Sequence, residues 1–255
     1  MREREHVELL AEVARAFEGR RVVAIGAAAL RWHYPAFRGT LDLDLCIAID
    51  LAEHAEGAGL PAAWRRRPDT PHRWELPDGQ LLDIVPAGDE LLRAGSVTWP
   101  GGATMDLTGI DLAMCDHLSF CEELPTTVRV ASRRALFVTK VVAWQDRPYD
   151  RQKDLGDIAR LLDEYVGDDD PRRFDEPALS EREWDERPAF LLGMDLGAIC
   201  TERHIGRIRE FARLIGDPAQ REHSWMIHAG PSAWRADATV LPRRLGALLG
   251  GIGNG

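Results

Sequence analysis

Two aspartates one residue apart, Asp42 and Asp44 in Arg38-Gly39-Thr40-Leu41-Asp42-Leu43-Asp44-Leu45, constrain this chain more than any other feature. Leucines alternate with them, and a period of two is the pattern of a strand with one face on a core. The leucines therefore point one way and both carboxylates the other. A second apolar run, Leu81-Leu82-Asp83-Ile84-Val85, carries a third aspartate in what also reads as a buried strand. An unpaired carboxylate in such a place is costly. Three of them on neighbouring strands would form a cluster that is tolerated mainly when cations fill it, and an all-oxygen donor set suits Mg²⁺. The expectation is a metal site for phosphoryl chemistry held by Asp42, Asp44 and Asp83.

The residues before the pair sharpen this reading. Arg21-Val22-Val23-Ala24-Ile25 is a compact apolar strand that stops at Gly26, and Ala27-Ala28-Ala29-Leu30-Arg31-Trp32 is rich in helix formers. A strand, a glycine and a helix aim free backbone N–H groups at an anion. A Walker A loop uses the same electrostatics, but its Gly-Lys-Ser/Thr ending is absent, and Gly-x-Gly-x-x-Gly is incomplete.

At these residues the chain resembles the nucleotidyltransferases of the DNA polymerase β superfamily, in which a strand ending in Gly-Gly or Gly-Ser, a helix, an Asp-x-Asp strand and a later strand acid follow in that order. The Arg-x-Thr-x-Asp-x-Asp form, matched by Arg38, Thr40, Asp42 and Asp44, is similar to the bacterial AbiEii-type and related toxin-like group. So is the later pair of segments, a helix carrying Lys140 followed by Lys153-Asp154-Leu155-Gly156-Asp157. The resemblance covers residues 20–165 and leaves the C-terminal third unmatched. Position 27 is Ala where the family usually has Gly or Ser, so a hydroxyl contact to phosphate is missing while the backbone N–H remains.

The resemblance implies a Mg²⁺-dependent (alternatively Mn²⁺-dependent) enzyme that moves a nucleoside monophosphate from an NTP to an acceptor. Asp42, Asp44 and Asp83 would be both catalytic and metal-binding, with two cations roughly 3.5–4 Å apart. Gly26, Ala27, Arg38, Thr40 and Lys140 would bind the nucleotide. Lys140 shares a helix face with Arg133 and Arg147, although a solvated basic stripe explains those two arginines equally well. Asp154 and Asp157 open a helix, where its dipole alone accounts for acids.

Composition bounds the partners. A net charge of -10 over 255 residues argues against a broad, nonspecific nucleic-acid grip but leaves room for a local basic groove. The only lysines are Lys140 and Lys153, both inside the resembling segment. The charged start Met1-Arg2-Glu3-Arg4-Glu5 is unlike a signal peptide, no apolar run approaches a membrane span, and four cysteines without Cys-x-x-Cys spacing indicate a reducing cytoplasm. Cys115, His117 and Cys121 lie near one another but announce no fourth zinc ligand, and read as buried thiols beside a surface histidine.

Hydrophobic periodicity predicts helices at 5–17, 27–34, 51–57, 133–144, 153–165 and 241–249, and a helical pair over 189–215. Strands are predicted at 21–25, 41–49, 64–67, 73–76 and 81–85, the last two joined by a Pro77-Asp78-Gly79 turn, with edge strands at 103–107 and 127–130. The fold class is α+β, a small mixed nucleotidyltransferase sheet flanked by helices and followed by a helical C-terminal region. The expected organisation is a catalytic domain at 1–130, a helical pair completing the nucleotide site at 131–166, an acidic linker or surface excursion at 167–188, and a helical region at 189–255 with a disordered Gly-rich tail.

Three functions fit. The first is the nucleotidyltransferase, acting on the 3′ end of tRNA or a protein hydroxyl in a toxin-like role, with an antitoxin as partner. Arg65-Arg66-Arg67 with Trp64 and Trp74, and Arg203, Arg207, Arg209 and Arg213 on a late helix, are candidate RNA contacts. A helix face offset by Glu202 and Glu210 explains the second set as well. The alternatives are a noncatalytic nucleotide- or partner-binding module of the same fold, and an aminoglycoside-type small-molecule adenylyltransferase.

Overall fold

Apolar residues at helical spacing fold the start of the chain into α1 (Glu3–Ala16), which buries Leu9, Leu10 and Val13. The apolar run after it becomes β1 (Val22–Ile25), buried along its whole length, and the chain turns at Gly26 directly into α2 (Gly26–His33). The computed structural model describes residues 3–253 apart from 36, 41, 58, 119–123, 126 and 176–178, so Leu41 and Cys121 lie outside the described residues. β2 (Asp42–Ile47) shows the expected alternation, with Leu43 and Leu45 in the core and Asp42 and Asp44 half-buried on the opposite face.

α3 (Leu51–Glu56) starts at a capping box in which Asp50 accepts from the Glu53 N–H and Glu53 from the Asp50 N–H. Next come β3 (Arg65–Arg67), β4 (Thr70–Glu75) and β5 (Leu81–Pro86), with Gly79 at φ +82° in the turn between the last two. The segment after β5 holds α4 (Asp89–Ala94), β6 (Ser96–Thr98), β7 (Thr104–Asp106), α5 (Ile110–Cys115) and β8 (His117–Leu118). β9 (Val128–Ala131) and α6 (Arg133–Asp146) follow.

Seven strands form one mixed sheet in the order β3-β4-β5-β2-β1-β9-β8. β2 runs parallel to β5 and antiparallel to β1, and β1 runs parallel to β9. Two edge-strand expectations need correction. β9 is an inner strand, hydrogen-bonded to β1 on one side and β8 on the other. β7 pairs with β6 in a separate two-stranded ribbon. Both errors have one cause: the short partners β6 and β8 have too few residues to show a period.

The chain divides into two compact units, residues 1–139 with the sheet and residues 140–255, so α6 begins in the first and ends in the second. Within the second unit lie α7 (Gln152–Glu164), α8 (Arg172–Asp175), α9 (Arg187–Ile199), α10 (Glu202–Gly216), α11 (Arg221–Ala229), α12 (Ser232–Ala236) and α13 (Val240–Ile252). This is the expected α+β arrangement, a mixed sheet with helices and then a largely helical C-terminal region. In the stretch after α7, Arg173 and Leu179 are buried, and the Arg173 guanidinium lies 3.9 Å from the Trp184 ring centre.

The glycine-rich end corrects another expectation. Gly250 and Gly251 belong to α13, while residues 254 and 255 lie outside the described residues. A Cβ on Gly251 would stand 2.2 Å from the Phe190 carbonyl oxygen, and one on Gly193 2.1 Å from that of Leu248. The glycines allow α9 and α13 to approach closely, so they are a packing surface.

Candidate active site

The sheet register gathers the three aspartates. Asp44 lies opposite Asp83 across the parallel β2–β5 pair, so their side chains leave the same face, and Asp42 shares that face two residues along. Asp44 is also opposite Ile25, the last residue of β1, which places it beside the start of α2. Gly26 has φ +70°, and a Cβ there would stand 2.1 Å from Asp44 Oδ2. Only glycine fits, on both backbone and contact grounds. The carboxylate thus rests against a helix N-terminus, where the dipole favours negative charge. The N-cap residue, Ile25, makes no side-chain cap there, and the first turn of the helix holds no acid. Ala27 is buried directly behind Gly26.

Thr40 steadies the entry to β2. Its Oγ1 lies 3.2 Å from the Asp42 carbonyl oxygen, to which it donates, and 3.3 Å from the Asp42 backbone N–H, from which it accepts. Arg38 is exposed, its guanidinium 5.6 Å from the Phe37 ring centre.

Sequence reasoning missed Arg73. It stands opposite Asp83 on the antiparallel β4–β5 pair, so both side chains share the carboxylate face. Its Nε donates to Asp83 Oδ1 at 2.7 Å and one terminal nitrogen to Oδ2 at 2.7 Å, a bidentate fork. The same terminal nitrogen reaches Asp42 Oδ2 at 3.3 Å. The hydrogen bonds to Asp83, opposed by partial burial and aided by the charges of Asp83, Asp42 and Asp44, hold the guanidinium in its charged form. His72 Nε2 lies 4.0 Å from Asp83 Oδ2. A usable signal was present: a tight turn centred on Asp78 pairs residues equidistant from it, which sets Arg73 against Asp83.

Lys140 belongs to the other unit and has its own carboxylates. The residue is 4% exposed, and its ammonium lies 2.6 Å from Asp154 Oδ1 and 2.8 Å from Asp157 Oδ2. Arg151 completes the group at 2.7 Å from Asp154 Oδ2. Burial pushes the lysine pKa down, but the two aspartates outweigh it and raise it; burial pushes Asp154 up, and Lys140 and Arg151 bring it below its ordinary value. Of the residues expected to share the Lys140 face, Arg133 stacks 5.0 Å from the Tyr34 ring centre and Arg147 is exposed.

The candidate RNA contacts divide. Arg65, Arg66 and Arg67 are exposed on the edge strand β3, whereas Trp64 and Trp74 are core residues with no face for a base. On α10, Arg207 lies near Asp146 and Glu210, and Arg209 near Glu202, which supports the solvated-face reading for these two. Cys115 is exposed, contrary to the buried-thiol expectation, because it ends α5 where the helix meets solvent. Cys46 is buried in β2, and burial pushes its thiol up to about 12.

Among the described residues no three His, Cys, Asp or Glu side chains converge tightly enough to enclose a metal ion as they stand. The reason is visible at the cluster: the Arg73 guanidinium wedges between Asp42 and Asp83, and Asp44 is drawn toward Gly26. The donor set nonetheless fits Mg²⁺ or Mn²⁺. Hard carboxylate oxygens from adjacent strands are what such ions take, and the guanidinium already fills the position of a stand-in cation.

The chain matches the family model described as nucleotidyl transferase AbiEii toxin, type IV toxin–antitoxin system, over residues 8–222. No curated protein and no solved structure matches it. That match spans the sheet, the carboxylate cluster and most of the helical unit, and the chain belongs to the AbiEii nucleotidyltransferase toxin family.

Proposed function

We propose that the Asp42–Asp44–Asp83 cluster is the catalytic centre of this nucleotidyltransferase, and that it moves a nucleoside monophosphate from an NTP to a hydroxyl of an RNA end. One observation carries the reading: Asp44 opposite Asp83, with Asp42 on the same face, beside the N-terminus of α2, whose N-cap residue Ile25 supplies no side-chain cap. Mg²⁺ held by these three carboxylates would supply charge neutralisation for the attacking and leaving oxygens. The backbone N–H groups at Gly26 and Ala27 suit the triphosphate. Thr40 fixes the start of the strand that carries Asp42 and Asp44.

In the transfer, the acceptor oxygen bonds to the α-phosphorus, the bond to the β-phosphate bridging oxygen breaks, and pyrophosphate leaves. The acceptor proton goes to Asp83. Both Asp83 oxygens accept from Arg73 in the resting site, so Asp83 takes the proton only after the guanidinium moves. Lys140 commits two of the three donors of its ammonium to Asp154 and Asp157 within its own unit.

The exposed arginines of β3 favour a phosphate-rich acceptor, and the tRNA 3′ end is the first to offer. Toxin-family membership makes a cognate antitoxin the expected protein partner. The test incubates the protein with Mg²⁺ and each α-labelled NTP in the presence of total tRNA, cell protein or aminoglycosides. Label should enter tRNA and fall at least 10³-fold in Asp42→Asn/Asp44→Asn, the scale of losing transition-state charge stabilisation. Label in the protein or aminoglycoside pool would replace the acceptor. Transfer unaffected by the double substitution would remove the site.

A further inference from the structure

Arg73 is a cation built into the cluster whose role the transfer chemistry does not require. Resting on the reading of Asp42, Asp44 and Asp83 as metal ligands, we propose that Arg73 is a resident counter-cation that gates metal loading, so that divalent-ion binding waits for the nucleotide. The two carboxylates it bridges are the ones a cation must share. Its fork occupies both oxygens of Asp83 at 2.7 Å, and the nitrogen at Oδ2 also reaches Asp42 at 3.3 Å. A divalent ion entering this wedge meets a fixed positive charge and must displace a bidentate, charge-assisted pair.

The guanidinium cannot escape by losing its proton, because arginine stays charged in proteins. It escapes by moving. Its side chain is 27% exposed on β4, one strand in from the sheet edge, whereas the Asp83 side chain is only 10% exposed. Arg73 is therefore the partner with more open space to move into. A triphosphate brings the negative charge that draws the guanidinium off Asp83 and adds oxygens to the metal's shell. Until then, Arg73 offsets the repulsion among three carboxylates on adjacent strands. Asp44 stays at the helix N-terminus, with Arg73 bonded to the other two.

The test measures Mn²⁺ binding by the electron-paramagnetic signal of the free ion, with no turnover involved. The native chain, Arg73→Met and Arg73→Lys are titrated without nucleotide and with each α,β-methylene NTP, and thermal melts verify folding. Without nucleotide, Arg73→Met should bind Mn²⁺ at least tenfold tighter than native, with Arg73→Lys between them. Nucleotide should strengthen binding in the native chain and much less in Arg73→Met. A folded Arg73→Met with native or weaker Mn²⁺ affinity overturns the gate. If Arg73→Met does not fold, Arg73→Lys decides: a point charge without the fork must raise Mn²⁺ affinity, and no rise refutes the proposal. Failure of the underlying reading looks different: Asp83→Asn and Asp42→Asn would then leave Mn²⁺ binding unchanged in every background.

Discussion

Replacing Lys140 with methionine separates a structural lysine from a chemical one. The ammonium is buried against Asp154, which is 0% exposed, and Asp157. Methionine keeps most of the volume and removes the charge. Breaking a buried ion pair by deleting one partner costs about 3–5 kcal/mol, because the remaining charge is left in a low-dielectric site. Arg151 still neutralises Asp154 from its other oxygen, which puts the expectation at the lower end, about 3 kcal/mol. At about 2.1 cal/mol/K per residue, a chain of 255 residues melting together has an unfolding entropy near 0.5 kcal/mol/K, and Tm should fall by roughly 6 °C. The shift is larger if the helical unit melts alone. Calorimetry at pH 7 measures it. The triple variant Lys140→Met, Asp154→Asn, Asp157→Asn should recover most of the loss, since neutral partners need no counter-charge. A Tm within 1 °C of native in Lys140→Met would refute the reasoning and mean that the pair contributes nothing net to folding. The pH dependence has a definite sign. Asp154 is depressed in the folded chain, so its contribution is complete above its ordinary value of 3.8 and is lost as pH falls through the lower folded value. Lys140 is raised, so its contribution is complete below 10.5 and is lost only as pH rises beyond that.

Gly26→Ala forces an L side chain into φ +70°, costing about 1–2 kcal/mol, and drives its Cβ against Asp44. Because displacing a reacting group by about 1 Å costs on the order of 10²-fold, transfer should drop by that much while Tm falls only a few degrees. Equal loss of fold and activity would count against the contact. His54 is buried with one ring nitrogen 3.0 Å from the Ile84 carbonyl, and burial lowers its pKa to about 4. The unfolded chain binds that proton first, so stability should decline as pH falls from 6.5 to 4, by about 3 kcal/mol in total. His54→Gln should flatten that part of a urea-denaturation pH profile, and an unchanged slope would exclude His54 as its source. Gly251→Val sets a side chain on the Phe190 carbonyl and should cost about 1–3 kcal/mol by overpacking. A disordered tail would show no change in the same urea titration.

Much of the sheet was legible because its central strands announce themselves. β1, β2 and β5 are short apolar runs, and the aspartates in β2 and β5 are conspicuous because nothing else in those runs is charged. The Pro77-Asp78-Gly79 turn marked the β4–β5 hairpin because it acts on residues one to three positions away, with Gly79 at positive φ; the capping box of Asp50 and Glu53 is equally local but was not read. β6 and β8 are three and two residues long, too short for a period, so the partners of β7 and β9 could not be read. The glycines of α13 misled because composition describes an isolated chain. Low helix propensity is outweighed where the absence of a Cβ lets two helices touch.

The cluster was half legible, and the missing half is what alters its chemistry. Carboxylates can be found along one strand because the spacing is local. Their counter-cation lies on a different strand, and arginines are so abundant in this chain that residue type alone marks none of them. Pairing supplies what type does not. A strand residue is constrained by the one opposite it as strongly as by its own neighbours in sequence. Arg73 therefore follows from Asp83 once the turn at Asp78 sets the register. The same logic separates the two lysine–aspartate readings. Lys153 adjoins Asp154 in sequence, but the helix sends Asp154 inward, one turn from Asp157, and both meet Lys140 from another helix. In each case the cation that satisfies a buried acid is the one that secondary structure turns toward it, so a charge motif in this fold has to be read through the register of its strands and the faces of its helices before any member is assigned to chemistry.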